Sequence, residues 1–386
     1  MKYLFFDLPV HRAILNPEEK PIQQILREAG GNTGNLLFRY AIRSQIGDEL
    51  VDTHWKEGVA LAQTGKFDGV VLAGANWLNT SQPFGNEKRA RALRELGLPV
   101  ICIGLGCQHY FTTHEKLEFP KETLDFLDAL RELEACVLVR DEMTLIQCRH
   151  YGLKDVHLTG CPSNFINSSD DFADKLISKT ERSHYDKVIL NSGHFAGPTL
   201  ELDRKLLPLT KHRPGSYLVQ ANHNGAIAMA LDKSGEYSGK DIRHMRKSFK
   251  LGGGFFGRKE AFEEWRSLLG VYLDVEAWLK DASSWDFAIG SRIHGTMAPV
   301  QAGTPAVLVA TDSRTEGLAS LMGVPYIKIE DALKLENPVS VKDLINLSQL
   351  DWMSYVEKRK KLAREYASHL NRFGLTLTPS LERIIS

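Results

Sequence analysis

The sequence predicts an α/β protein in which two doubly wound, Rossmann-like parallel sheets face each other across a cleft. Three observations predict it. Strand-length apolar runs alternate with amphipathic helical runs along nearly all of the 386 residues. The strand runs are continuously apolar, as in Asp68-Gly-Val-Val-Leu-Ala-Gly74 and Pro99-Val-Ile-Cys-Ile-Gly-Leu-Gly106. Such strands are buried on both faces of a parallel sheet, between helices. The alternation halts in a polar, turn-rich stretch at 167–174 and then restarts. The expected layout is a first half over 1–166, a second over 175–335 and a helical C-terminal segment over 341–386.

Each element follows from local pattern. A strand over 2–7 opens the chain, apolar between charged ends. The glycine- and asparagine-rich run from Gly30 to Asn35 is a turn, and 36–47 a helix. The run 67–74 is a buried strand ending on glycine, and the charged amphipathic run 86–96 a helix. A second buried strand, 99–106, ends in a glycine turn. A helix over 121–134, a strand over 135–139, a helix over 142–151 closed by Gly152 and a strand over 156–158 complete the first half. The second half is expected to place strands at 187–190, 216–220, 287–289, 306–310 and 326–329. Its helices fall at 199–206, 261–270, 275–282, 296–302 and 315–321. Gly252-Gly-Gly-Phe-Phe-Gly257 is a loop, and 341–370 a charged helix. The basic cluster Lys358-Arg-Lys-Lys-Leu-Ala-Arg364 in that helix is read as a solvated face rather than a membrane contact.

Composition removes several function classes. Apolar residues make up 43% and charged residues 25%, as in ordinary globular proteins. The formal net charge is zero, so no global field draws in nucleic acid. No run approaches the roughly 18 apolar residues of a membrane span. Met1-Lys-Tyr-Leu-Phe-Phe-Asp lacks the pattern of a secretory signal. Five cysteines, an odd number in mostly apolar surroundings, fit reduced thiols in a cytoplasmic protein. Neither a C-x-x-C pair nor an H-E-x-x-H pattern offers a metal site, and His109 with His114 is a poor substitute. No metal is expected.

The chemistry concentrates in Asp286-Phe-Ala-Ile-Gly-Ser-Arg-Ile-His-Gly295. A strand that empties into a glycine-flanked turn at a helix start is where open α/β sheets place ligands. Arg292 offers a planar fork of donors for carboxylate or phosphate. His294 offers a proton donor or acceptor near neutral pH, and Ser291 and Gly295 flank the pair. Arg140, after the strand at 135–139, and Arg314, after the strand at 306–310, are two further cations at strand ends. Each has an ordinary structural alternative, since a helix start also welcomes a charge near its cap. Three arginines together suit a ligand with several negative charges. In the first half, Gly31-Asn-Thr-Gly-Asn35, Gly74-Ala-Asn76 and Gly104-Leu-Gly106 are turns whose amides can approach a ligand. None has the lysine of a Walker A loop or the full dinucleotide fingerprint.

Five segments in order resemble the polysaccharide pyruvyl transferases. They are Gly31-Asn-Thr-Gly-Asn35, Asp68-Gly-Val-Val-Leu-Ala-Gly74, Pro99-Val-Ile-Cys-Ile-Gly-Leu-Gly106, Val137-Leu-Val-Arg-Asp-Glu142, and Trp285 through Gly295 with Ala302-Gly-Thr-Pro305. The Gly-x-Arg-x-His-Gly element after an Asp-led strand is the specific one. Two departures stand out. The family turn usually ends in Asp where this chain has Asn35, and an Asp-Pro pair often stands where this chain has Cys161-Pro162. Both bear on the acceptor, and neither is expected to touch the Arg/His element.

The resemblance implies a GT-B-like fold, with the C-terminal helical segment crossing back to the first half. It implies transfer of pyruvate from phosphoenolpyruvate to two sugar hydroxyls, giving a cyclic ketal and phosphate, with no further cofactor. Arg292 and His294 would carry the site, and Arg140 would be the second cation, with Arg314, Ser291 and Gly295 beside the donor. Asn32, Asn35, Asn76 and Gly106 are the candidates on the acceptor side, and Trp77 a stacking surface. The acceptor would be a sugar or glycan, free or lipid-linked, in the cytoplasm or at the inner face of the membrane. Oligomer formation is open. Two rivals remain. One is a nucleotide-sugar glycosyltransferase, for which Glu316 would supply a ribose-binding acid. The other is a non-catalytic sugar- or anion-binding protein.

Overall fold

A computed structural model describes residues 1–6, 12–108, 113–221, 223–249 and 259–386. Asp7, His109 and the loop predicted at 252–257 lie outside the described residues. The first sheet holds β1 (Lys2–Phe6), β2 (Glu49–Thr53), β3 (Gly69–Ala73), β4 (Val100–Leu105), β5 (Cys136–Val139) and β6 (Val156–Leu158). Their order is β2-β1-β3-β4-β5-β6, parallel throughout. The second holds β7 (Val188–Asn191), β8 (Tyr217–Leu218), β9 (Leu269–Gly270), β10 (Phe287–Gly290), β11 (Ala306–Ala310) and β12 (Tyr326–Lys328). Its order is β9-β8-β7-β10-β11-β12, also parallel throughout. Strand order therefore reverses between β1 and β3 in one sheet and between β7 and β10 in the other. Those reversals open a crevice beyond the strand C-termini, the usual ligand position in such sheets.

The central strands are where the sequence is most apolar. Every residue of β3, β4, β10 and β11 is buried. Each Val, Ile or Leu so covered contributes about 1.5–3 kcal/mol relative to exposure. Edge strands read differently. β2 carries Glu49 and Asp52 and is only partly buried, so it has no continuous apolar run to announce it. β9 completes the sheet edge where the sequence suggested the end of a helix.

The predicted tail helix is two helices, Val341–Ser348 and α4 (Trp352–Arg372). Gln349 adopts a left-handed conformation (φ 48°), and Asp351 caps the second helix by accepting from the Ser354 amide. α4 spans both halves. Near its start, the Tyr355 hydroxyl donates to Asn164 Oδ1 (2.8 Å) and accepts from Gln301 Nε2 (2.9 Å). Arg359 donates to the carbonyls of Asn164 and Asn167, and its guanidinium lies over the Phe172 ring. Arg359 is 5% exposed, so the basic cluster is not wholly a solvated face. One of its members pins the segment that joins the halves. At the far end His369 stacks on His157 of β6, with ring centroids 3.7 Å apart, and Arg372 pairs with Asp155. The chain then bridges Ile46 at Leu377, and Thr378 Oγ1 donates to the Ser44 carbonyl. This is the GT-B-like arrangement, with the C-terminal segment returned to the first half.

Two further features concern metals and membranes. His157, Glu365 and His369 bring potential ligand atoms within 4.8 Å of one another. Those imidazoles already meet Asp155 and Glu365, and Arg372 lies 3.2 Å from His157 Nε2. Among the described residues no helix is long and apolar enough to cross a membrane. All five cysteines are buried, and none is joined in a disulfide.

Candidate active site

A cavity of about 580 Å³ lies between the C-terminal edges of the two sheets. From the second half it takes Ser291, Arg292, His294 and Arg314; from the first it takes Asn32, Asn35, Asn76 and Arg140. Eight of the ten predicted site residues thus meet in one space, although the chain separates them by as many as 282 positions (Asn32 to Arg314).

The second-half wall is built by β10 and the helix after it. Gly290 ends β10 at φ 153°, and a Cβ there would lie 2.2 Å from the Asn191 carbonyl oxygen of β7. The sequence suggests a helix from 296, but α2 (Ile293–Gln301) begins three residues earlier. His294 therefore belongs to its first turn and points inward, 5% exposed. Gly295 does not line the cavity. Asn191 Nδ2 donates to its carbonyl at 2.8 Å, and a Cβ at Gly295 would collide with Asn191 Cγ at 2.5 Å. That glycine seats the helix against β7.

Five arginines line the cavity, Arg39, Arg89, Arg140, Arg292 and Arg314, and the last three are those the sequence singled out. Arg140 donates to the Gly74 carbonyl (3.1 Å) and lies over the Phe38 ring (4.7 Å), with Nε unpartnered among the described residues. Arg292 donates at long range to the carbonyls of Ser192 (3.3 Å) and Gly193 (3.4 Å). Arg314 is in the first turn of α3 (Ser313–Met322), 3.5 Å from Asp312, again with Nε unpartnered. Neither Arg140 nor Arg292 forms an ion pair with a carboxylate among the described residues. Burial pushes both below the ordinary arginine value, and the charge of Arg314 adds to the effect. The site holds unneutralised positive charge out of water, a costly arrangement unless an anion completes it.

His294 is pushed down to about 3 by burial first, then by Arg140 and Arg314, so the imidazole is neutral near pH 7. Its ring stacks on Phe38, with centroids 5.6 Å apart and planes 29° from parallel. Its Nε2 lies 3.6 Å from Cys161 Sγ, which accepts from Ser163 Oγ at 3.1 Å. A Cβ on Gly34 would lie 3.1 Å from His294 Cβ. Cys161, at one departure from the family pattern, therefore sits against His294, contrary to expectation, whereas at the other the approach is made by Gly34, next to Asn35. The reason is that the first turn of α2 reaches across to the loops of the other half.

Behind Arg292 is a carboxyl that the sequence did not flag. Asp203 is fully buried, and its Oδ2 accepts from Tyr217 Oη (2.6 Å) and the Gly193 amide (3.1 Å). Burial pushes it up to about 7, against those two hydrogen bonds and the charge of Arg292. Between about pH 4 and 7 the folded chain holds a proton that the unfolded chain has released. Asp203 thus contributes stability at low pH that is lost as pH rises through the folded value. His294 acts in the opposite sense: between about 6.5 and 3 the unfolded chain binds a proton that the folded chain refuses. Asp203→Asn is therefore expected to gain stability relative to wild type as pH rises from 4 to 7, by up to about 1.4 kcal/mol per pH unit. Urea unfolding at stepped pH measures this. A difference between the two proteins that is flat in pH would exclude a protonated carboxyl at this position.

The first-half wall is largely turn chemistry. Asn32 Oδ1 accepts from the Gly34 amide (2.8 Å), and Asn35 Nδ2 donates to the carbonyls of Ala29 and Gly30 (3.1 Å each). Asn35 is also the first residue of α1 (Asn35–Gln45). Gly106 is not among the lining residues; it makes room for Asn76, whose Oδ1 would lie 2.5 Å from a Cβ there. Trp77 is covered by the Arg89 guanidinium at 3.8 Å and by the edge of Phe126. Its ring is committed, and Trp55 stands beside it on the same wall. Glu316 is turned away, paired with Lys328 at 3.0 Å. The lining residues that sequence reading missed include His194 and Gln220, which follow β7 and β8. β8 is only two residues long, too short to mark its own end.

A family model described as polysaccharide pyruvyl transferase matches residues 5–313. No curated protein gives a significant match. Among solved structures, the chain is similar to HepE of Anabaena in complex with UDP and glucose. The identity is 11%, with 95% of this chain and 100% of that chain covered and a TM-score of 0.40. It is also similar to UGT2 of Phytolacca americana, complexed with UDP-2fluoro-glucose and pterostilbene. There the identity is 13%, the coverage 86% and 74%, and the TM-score 0.32.

Proposed function

The chain belongs to the polysaccharide pyruvyl transferase family, and from that premise we propose that it moves the pyruvate unit of phosphoenolpyruvate onto two hydroxyls of a sugar. The observation that carries the reading is the set of three guanidinium groups, Arg140, Arg292 and Arg314, around a neutral, buried His294. Phosphoenolpyruvate carries a carboxylate and a phosphate, close to three negative charges. Planar donors bind both groups bidentately, and the bound anion offsets the buried positive charge. No nucleotide base or ribose is needed to explain the cations.

The reaction balances without a redox centre or a metal. The methylene carbon gains a proton and becomes a methyl group. A sugar hydroxyl attacks the neighbouring carbon, the bond from that carbon to the phosphate oxygen breaks, and a second hydroxyl closes the ketal. Two hydroxyl protons are released; one goes to the methyl group and one to phosphate. His294 starts neutral, so its role is to accept the proton of the attacking hydroxyl. The anionic donor, by offsetting Arg140 and Arg314, raises the imidazole's affinity for that proton. The arginines hold the donor, and Ser291 lies beside it. The acceptor occupies the wall formed by Asn32, Asn35, Asn76 and Trp55. We place the reaction in the cytoplasm, with the sugar free or lipid-linked at the inner face of the membrane.

A phosphate-release assay tests this. Phosphoenolpyruvate with methyl glycosides of glucose, galactose and mannose is expected to release phosphate in step with loss of free sugar. Release of UDP from UDP-glucose instead, with no phosphate from phosphoenolpyruvate, would replace this reading with glycosyl transfer.

A further inference from the structure

Gln220 follows β8 at the C-terminal edge of the second sheet and lines the cavity, 1% exposed. Among the described residues, neither its Oε1 nor its Nε2 has a hydrogen-bond partner. A buried amide left unpaired is costly, and native proteins rarely keep one without a use. The fold uses the backbone of Gln220: its carbonyl accepts from the Thr33 amide (3.0 Å) and lies 3.4 Å from Thr33 Oγ1. The side chain and His294 approach the same turn of the first half: a Cβ built on Gly34 would lie 3.4 Å from Gln220 Nε2 and 3.1 Å from His294 Cβ.

We propose that the Gln220 side chain is the subsite for the acceptor's hydroxyl pair, a specificity-determining contact for the sugar. A primary amide presents a donor and an acceptor in one plane, and two neighbouring hydroxyls answer both, one receiving and one giving a hydrogen bond. A neutral amide does not compete with the arginines for the anionic donor. It therefore suits the uncharged substrate in a cavity otherwise rich in cations. The turn it shares with His294 places one of those hydroxyls near the group that takes its proton. Because the same residue's carbonyl holds the Thr33 turn, sugar binding at Gln220 also engages the contact between the two halves. The inference rests on the pyruvyl transfer proposed above.

The test is Gln220→Met, which keeps length and volume and removes both polar atoms. With the same methyl glycosides, kcat/KM for the sugar is expected to fall about tenfold or more, the scale of two lost hydrogen bonds. KM for phosphoenolpyruvate is expected to stay within twofold, and the thermal midpoint to hold or rise. Gln220→Asn, which keeps the neutral amide on a shorter arm, is expected to recover part of the activity. A Met variant with wild-type kcat/KM for the sugar overturns the assignment while the proposed reaction stands. So does a Met variant that loses thermal stability and donor affinity together, which would make Gln220 structural. A wild-type protein that releases no phosphate from phosphoenolpyruvate takes down both readings.

Discussion

His294→Ala is expected to lower phosphate release from phosphoenolpyruvate by about a hundredfold or more, with donor affinity close to wild type. The imidazole lies in the first turn of α2 inside the cavity, and burial with Arg140 and Arg314 keeps it neutral there. A neutral imidazole is ready to accept a proton, and donor charge strengthens that capacity, so the loss falls on turnover rather than on donor binding. Acid–base groups of this kind contribute roughly a hundredfold to ten-thousandfold. The ring also stacks on Phe38, so alanine leaves a hole. His294→Gln, which fills the hole without basicity, separates packing from chemistry: it is expected to be as slow as alanine. Rate and phosphoenolpyruvate titration on both variants decide it. Near-normal turnover in either folded protein would remove His294 from the reaction.

Arg140→Met is expected to weaken phosphoenolpyruvate binding by about tenfold to a hundredfold, the scale of a charge-assisted hydrogen bond, without lowering the thermal midpoint. The two effects share one cause. Arg140 is 5% exposed, its side chain has one hydrogen bond among the described residues, to Gly74, and it shares the cavity with four other arginines. Replacing a buried charge with an apolar side chain of similar reach is often neutral or stabilising, and Met can keep the contact with Phe38. Loss of the Gly74 hydrogen bond offsets part of that gain. What the fold tolerates poorly, an anionic donor needs. Titration with phosphoenolpyruvate and a melting curve on the same sample test both halves. A variant that melts several degrees lower yet binds the donor normally would make Arg140 a packing residue.

The sheets and the donor wall were legible because of where their residues fall along the chain. Arg140, Arg292 and Arg314 each follow a continuously apolar strand, and an apolar run ending in a polar turn can be read without knowing its neighbours. Gln220 follows a strand of two residues with no such run. Asp203 sits in the helix Gly197–Leu206, whose polar residues look like a solvent face until Tyr217 and Gly193 are brought onto it. The contact of Cys161 with His294 joins residues 133 apart, across the junction of the halves. Local pattern carries no signal for any of these, because each is made by how the halves meet. Asn32 and Asn35 were legible as a turn, and their side chains are occupied with holding it.

The crossing of α4 also bears on how the molecule comes apart. Its first turns cover the connecting segment through Tyr355 and Arg359, and its last turn covers β6 through His369 and Arg372. Each sheet therefore depends for part of its cover on a helix that the other also needs. Neither half can melt fully while the helix stays in place, and neither keeps its full core once the helix leaves. The cooperative unit is the pair of halves, although their topologies are complete separately.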